Sequence, residues 1–259
     1  MKLSVCGKGG SGKSTVVCLL SAAAQNKGLK TLVVDSDESN SGLFRMLGFE
    51  KPPIPLMTLV GGKEWIREKM SQTSILSEKD ITLEKIPHPY INKQDGLWMV
   101  SIGKIHQALE GCACPMGALS REFLNKLCLG ENEIAIADME AGVEHFGRGL
   151  DAGIDSVVLV VEPSYESLAL SGKIKDLAKD MQKSVWAVLN KIDSENLGAK
   201  LEKELKNRDI ETIGAISYDP VIFSAGLTGK PVRHVESIRK AEKILNRLLS
   251  KIAKNKSRE

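Results

Sequence analysis

The chain lacks a long apolar run, a strong excess of either charge and a large set of cysteines, and each absence closes off a class of function. Its longest strongly apolar run, VVLVV at 157–161, falls far short of the ~20 residues a membrane-spanning helix needs. Lys and Arg number 36 against 33 Asp and Glu, a formal net charge of +3. That is too small to argue for nucleic acid or an anionic membrane as a partner. The opening MKLSVCGKGG turns into a glycine loop before a signal-peptide core could form, so a cytoplasmic protein is expected. Five cysteines, an odd number, do not make a disulfide framework in a reducing compartment. Their thiols are expected to be free or bound to metal. No internal repeat is present, and no low-complexity stretch beyond the basic tail KNKSRE.

What is present is an ordinary globular composition, 42% hydrophobic and 27% charged over 259 residues, enough for a large core. Short β-branched runs alternate with helical patterns throughout, which points to an α/β fold with a mostly parallel sheet of about seven strands and helices on both faces. The runs are at 2–6, 31–35, 97–102, 133–137, 156–161, 185–190 and 212–216, and helices are expected at 14–27, 63–72, 118–129, 165–181, 195–207 and 234–254. In the helix at 165–181, Leu170, Ile174, Leu177 and Met181 form one apolar stripe. Residues 38–95 are the least regular and read as an insertion within a single domain spanning 1–259.

Gly7-Lys8-Gly9-Gly10-Ser11-Gly12-Lys13-Ser14 fits G-x-x-x-x-G-K-[ST] in full, after a strand and before a helix. Glycines at 9, 10 and 12 let the backbone N–H groups turn toward phosphate oxygens, and the helix N-terminus adds its positive end. Lys13 is expected to reach the β and γ phosphates, Ser14 to complete the coordination of Mg²⁺, and Ser11 and Thr15 to line the same site. Lys8 is a second lysine inside the loop. With it, KGGSGKST resembles the deviant P-loop of the MinD/ParA-like ATPases, a class that includes nitrogenase iron protein. The resemblance implies a face-to-face homodimer in which Lys8 reaches the partner's nucleotide and neutralises charge on the transferring phosphoryl group.

Asp35 and Asp37 end the second strand in VVDSDESNS, at the carboxyl edge where open α/β sheets bind ligands. By resemblance Asp37 orients the attacking water, while Glu38 stands where the class often has proline. Asp138 ends the buried run EIAIA and suits the Mg²⁺-holding role. Gly142, without a side chain, could bring its N–H to the γ-phosphate. Asn190 and Lys191 end the run VWAVLN, where the class uses the asparagine amide to bind adenine, an acceptor and donor side by side matching N6 and N7. The same residues read NKID, and Asp193 could instead accept from guanine; the loop type favours ATP. Tyr218 through Pro220, in SYDPVIFSAGLTGKPV at 217–232, are expected to form a loop closing the base pocket.

Cys6, Cys18 and Cys128 lie on apolar faces and read as core residues. Cys112 and Cys114 differ, because GCACPMG at 111–117 carries glycine and proline punctuation and reads as a surface turn. Two thiolates supply half of a tetrahedral metal shell. The pair could form a strained disulfide, or draw further ligands from His106 and Met116, or meet its copy across a twofold axis near residue 113 to make a four-thiolate site for Ni²⁺ or Zn²⁺. Together the loop, the Cys-x-Cys pair and DMEAGVEHFGRG at 138–149 resemble the CooC-type accessory ATPases of carbon monoxide dehydrogenase. That resemblance implies ATP-driven insertion of nickel into a client dehydrogenase. Glu144 and His145 could serve as metal-relay or partner residues, but read first as anchors of the second switch. Two other classes stay open. One is a membrane- or surface-positioning ATPase of the MinD/ParA type, acting through the stripe Ile238, Leu245, Leu248, Leu249 and Ile252. The other is an iron–sulfur reductase like nitrogenase iron protein.

Overall fold

The β-branched runs become strands because each is buried on both faces. In β6 (Ser156–Val161) the side chains of Val157, Leu159 and Val161 join one core cluster, and those of Val158 and Val160 join the other. This is the period-two geometry of a strand covered by helices on both sides. The computed structural model describes residues 1–60, 78–104, 114–147 and 153–256. Among them one eight-stranded sheet runs in the order β3-β4-β2-β5-β1-β6-β7-β8. The other strands are β1 (Lys2–Gly7), β2 (Lys30–Asp35), β3 (Asn92–Gln94), β4 (Leu97–Ser101), β5 (Glu133–Asp138), β7 (Ser184–Ile192) and β8 (Glu211–Ser217). All pairings are parallel except β3 with β4.

The α/β architecture and mostly parallel sheet agree with the sequence reading. The eighth strand, β3, was not expected. Asp95 and Gly96 between β3 and β4 both have positive φ, 48° and 78°, the requirement of a two-residue hairpin turn for which Asp-Gly is a strong signal. The turn was legible in KQDGLW, and the expectation passed over it.

Helices α1 (Lys13–Asn26) and α8 (Val235–Lys256) cover one face, with α2 (Leu43–Leu47) beside them. Helices α3 (Cys114–Lys126), α5 (Tyr165–Asp180) and α6 (Glu195–Lys206) cover the other, while α4 (Glu144–Gly147) and α7 (Pro220–Thr228) lie at the carboxyl edge. The helix expected at 63–72 lies outside the described residues. Ile81, Leu83, Ile86 and Ile91, from the irregular stretch before β4, enter the same core as the helices. In α5 the buried line is Ser167, Ser171, Ile174 and Ala178, with Leu170, Leu177 and Met181 packed partly buried beside it. In α8, Leu245 and Leu248 are fully buried and Ile252 nearly so, with Ile238 and Leu249 partly buried against them. The C-terminal apolar stripe is therefore packed on the sheet. Among the described residues no helix is long and apolar enough to cross a membrane.

Helix α3 begins at Cys114, four residues before the expected start, so Cys114, Pro115, Met116 and Gly117 are helical and not part of a surface turn. Proline costs a helix nothing in its first turn, where its missing N–H would have had no partner. Met116 is 1% exposed and packs against Gly103, which makes it a core residue and not a metal ligand. The helix ends at Lys126, and Leu127 takes the core position while pairing with Ile81. Cys128 is thereby turned outward; it is exposed, not buried as expected, whereas Cys6 and Cys18 are buried. Phe123 of α3 is fully buried. Phe123→Ala should lower the unfolding free energy by about 3–5 kcal/mol, read as a lower urea midpoint at unchanged slope.

Candidate functional site

The parallel register of β2, β5 and β1 brings the carboxyl ends of three strands together. Asp35 pairs in register with Asp138, and Val5 with Asp138. The glycine loop leaves β1 beside them. Gly7, at φ +147°, passes so close to β6 that a Cβ would sit 2.5 Å from the Val160 carbonyl oxygen. Gly12 is the N-cap of α1 at φ +91°, and a Cβ there would overlap Asn190 Nδ2. Only glycine permits both the backbone conformation and the contact.

The loop is held from β7. Asn190 Nδ2 donates to the Ser11 carbonyl at 2.8 Å, and Lys191 Nζ to the Gly10 carbonyl at 2.5 Å. With these carbonyls engaged from outside, the loop keeps the curled form that points N–H groups inward. Ser11 Oγ is buried and makes no hydrogen bond among the described residues, as suits a hydroxyl facing an anion site. Lys13 is 7% exposed.

Lys8 Nζ pairs with Glu162 Oε1 at 3.0 Å, and Lys191 Nζ with Glu162 Oε2 at 2.8 Å. Burial works against the charged form of Glu162, yet the hydrogen bonds from Lys191 and Lys8 outweigh it and hold the carboxylate below its ordinary range. Within one chain, then, Lys8 folds back on its own sheet edge.

Ser14 Oγ donates to Asp138 Oδ2 at 2.6 Å and accepts from Asn40 Nδ2 at 2.9 Å. Asp138 is fully buried, and its Oδ1 makes no hydrogen bond among the described residues. Burial raises Asp138 to about 7, opposed by the Ser14 hydrogen bond and assisted by the neighbouring Asp35 charge. Asp35 is raised to about 6, first by burial, with the charge of Lys104 pulling the other way. An orphaned buried carboxylate oxygen beside a serine hydroxyl fits a hard divalent cation such as Mg²⁺. Ser14 and Asp138 would hold it, and it would supply charge neutralisation for the phosphates.

In the first switch, Asp37 Oδ1 accepts from Ser39 N at 2.9 Å, Ser39 Oγ at 2.6 Å and Asn40 N at 3.3 Å, so its carboxylate is fixed within a turn. In the second, Gly142 N donates to the Gly7 carbonyl at 3.3 Å, and Gly9 lies against Ala141. Glu144 Oε2 accepts from Val143 N at 2.9 Å, and His145 is 1% exposed with its ring 4.5 Å from that of Phe146.

A cavity of about 380 Å³ opens beside the loop, lined by Gly12, Thr15, Asn190, Lys191, Tyr218 and Phe223 among others. Asp193 lines a neighbouring cavity instead. Asn190 and Lys191 lie within β7 and not at its end. Tyr218 is exposed, and Pro220 opens α7 in place of the expected loop. Asp219 caps that helix by accepting from Val221 N and Ile222 N, and its other oxygen accepts from Ser237 Oγ at 2.7 Å. The Asp-Pro pair was a legible helix start.

The structure thus gathers Lys8, the loop, Asp37, Asp138, Gly142, Asn190 and Lys191 at one edge. Cys112 lies outside the described residues, as does His106, while Cys114 is placed only as the first residue of α3. No cluster of three or more metal-binding side chains occurs among the described residues. Glu162, Asn40 and Lys104 were missed. Glu162 and Lys104 each follow the carboxyl end of a strand, and that position was the available signal.

Fold and loop together define the class, an α/β P-loop ATPase. The family is equally plain: residues 3–232 match the CobQ/CobB/MinD/ParA nucleotide binding domain, and the chain belongs to that family. An uncharacterized ATP-binding protein of Methanocaldococcus jannaschii is 42% identical over 234 residues, covering 89% of this chain and 93% of the relative. The carbon monoxide dehydrogenase accessory protein CooC of Rhodospirillum rubrum is 32% identical over 238 residues, covering 88% of each. Among solved structures, the septum site-determining protein MinD of Pyrococcus horikoshii, complexed with Mg-ADP, superposes with a TM-score of 0.72 at 20% identity over 95% of both chains. At that identity the likeness is one of fold.

A carboxyl raised from 3.8 to about 7 binds a proton on folding between those values, so its contribution to stability is greatest below about pH 4 and is lost as pH rises toward 7. Asp138→Asn should therefore melt higher than the wild-type free protein at pH 8, with a flatter profile between pH 6 and 7. It should also lose the stabilisation that Mg²⁺-nucleotide gives the wild type. Thermal melts from pH 5 to 8, with and without Mg²⁺-nucleotide, check all three.

Proposed function

We propose that this chain is an ATP-driven maturation factor that binds nickel or zinc between two protomers and delivers nickel to the cluster of a carbon monoxide dehydrogenase. The observation that carries the proposal is the 32% identity to a carbon monoxide dehydrogenase accessory protein over 88% of both chains. The pair Cys112 and Cys114 supports it, since two thiolates from each protomer complete a tetrahedral site that suits these metals.

In this proposal Ser14 and Asp138 hold Mg²⁺, which supplies charge neutralisation at the phosphates. Lys13 holds the terminal phosphates, and Asp37 orients the attacking water. Asn190 and Tyr218 flank the base in the cavity beside Gly12. Lys8 leaves Glu162 when two protomers meet and turns its charge on the partner's nucleotide. Lys191 stays on Glu162, so the carboxylate keeps a partner when Lys8 leaves. Closure favoured by both ATP and metal makes each raise the affinity of the other. Packing of the C-terminal apolar stripe on the sheet removes the feature that a membrane-surface role would use.

Anaerobic titration with Ni²⁺ and with Zn²⁺, followed by sedimentation with and without ATP, tests the proposal. One metal per two chains, with a monomer-to-dimer shift lost in Cys112→Ala/Cys114→Ala, is expected. If the double variant still dimerises on nickel and still matures the client enzyme, the metal site is elsewhere.

A further inference from the structure

Lys104 lies just past the end of β4, and its side chain is 11% exposed. A buried ammonium persists only where its charge is paired and its donors are used. Here Nζ donates to Asp35 Oδ1 at 2.7 Å and to the carbonyl oxygens of Asp37 and Asn40. Three donors meet three acceptors, and an ammonium has no more to give.

The two carbonyls bracket the first switch. Inside the bracket Asp37 Oδ1 gathers Ser39 and Asn40 into a turn, and Asn40 passes its amide to Ser14, which donates to Asp138. A continuous line of hydrogen bonds thus joins Lys104 to the phosphate loop and to the Mg²⁺-binding carboxylate. A second tie lies beside it: Ser36 Oγ and Ser120 Oγ are 2.9 Å apart and buried. Ser120 belongs to α3, the helix that opens at Cys114. In sequence Lys104 and Ser120 stand on either side of the cysteine pair, and both hold the same switch.

We propose that Lys104 is a positioning residue for ATP hydrolysis, and that Ser120 ties the first switch to the cysteine-bearing helix, so that nucleotide state and metal binding there are coupled. The coupling half rests on the metal site proposed above; the positioning half does not. Lys104 has no contact with phosphate to make. Its effect is on where Asp37 and Asn40 sit, and misplacement by about 1 Å is enough to cost on the order of 10²-fold in rate.

The test compares wild type with Lys104→Met, Lys104→Arg and Ser120→Ala. Steady-state ATP hydrolysis and the affinity for a fluorescent ATP analogue are measured in each, along with Zn²⁺ affinity in the presence and absence of a non-hydrolysable ATP analogue. Lys104→Met and Lys104→Arg should lower kcat by about tenfold or more with nucleotide affinity within about threefold of wild type. Arginine keeps the charge but not the three convergent donors, and it carries the test should the methionine variant fail to fold. In wild type the nucleotide should change Zn²⁺ affinity by about 5–150-fold, the usual range of such couplings. Ser120→Ala should shrink that factor by at least threefold while leaving Zn²⁺ affinity without nucleotide unchanged. A kcat within twofold of wild type in the lysine variants overturns the positioning role. Undiminished coupling in Ser120→Ala, or none in wild type that binds Zn²⁺, overturns the tie. Zn²⁺ binding unaffected by Cys112→Ala/Cys114→Ala would instead overturn the metal site, and the kcat result would still stand on its own.

Discussion

The short bond from Ser14 to Asp138, 2.6 Å long and fully inside the protein at the carboxylate end, is the contact around which the nucleotide edge is arranged. It joins the first turn of α1 to the end of β5, and so fixes the phosphate loop relative to the sheet. Because the register places Asp35 beside Asp138, two carboxyl groups share one buried neighbourhood. Burial first, and then the neighbouring carboxylate charges, push both upward, and a cation is the natural remedy. One is built in, Lys104 on Asp35; the other would arrive with the nucleotide. The edge is therefore charged in advance for its ligand.

Lys8 of the loop and Lys191 of β7 sit in a balanced arrangement on one carboxylate. Lys8 and Lys191 divide the two oxygens of Glu162 between them. Lys191 also braces the loop through the Gly10 carbonyl, so Glu162 ties loop shape to the position of Lys8. The second switch makes a similar provisional contact, with the Gly142 N–H on the Gly7 carbonyl. Such weak, partly exposed contacts are those from which moving elements are drawn. The core beneath them, with β6 buried along its whole length, supplies the rigid frame.

Much of the fold was legible because the signals are local. Continuous apolar runs mark doubly covered strands, and seven of the eight were readable in that way. The eighth has only three residues and carries no apolar pattern, so only its Asp-Gly turn announced it. Helix ends were less legible: a proline reads as punctuation, yet Pro115 and Pro220 both sit in first turns, where proline is tolerated. Cys128 was misread for a related reason, since a helix ending three residues earlier than expected changes the face on which a side chain falls.

The sequence by itself determined the loop chemistry, the strand and helix alternation, and the residue types at the ends of the strands. These depend on spacings of a few residues, and backbone stereochemistry translates such spacings directly into structure. Only the tertiary structure decided which side chains meet. Lys104 reaches Asp35 across 69 residues, Lys8 meets Glu162 across 154, and Ser14 meets Asp138 across 124. No local pattern encodes these pairings. They follow from the order in which the parallel strands are laid side by side, and that order is set by the burial of the whole sheet.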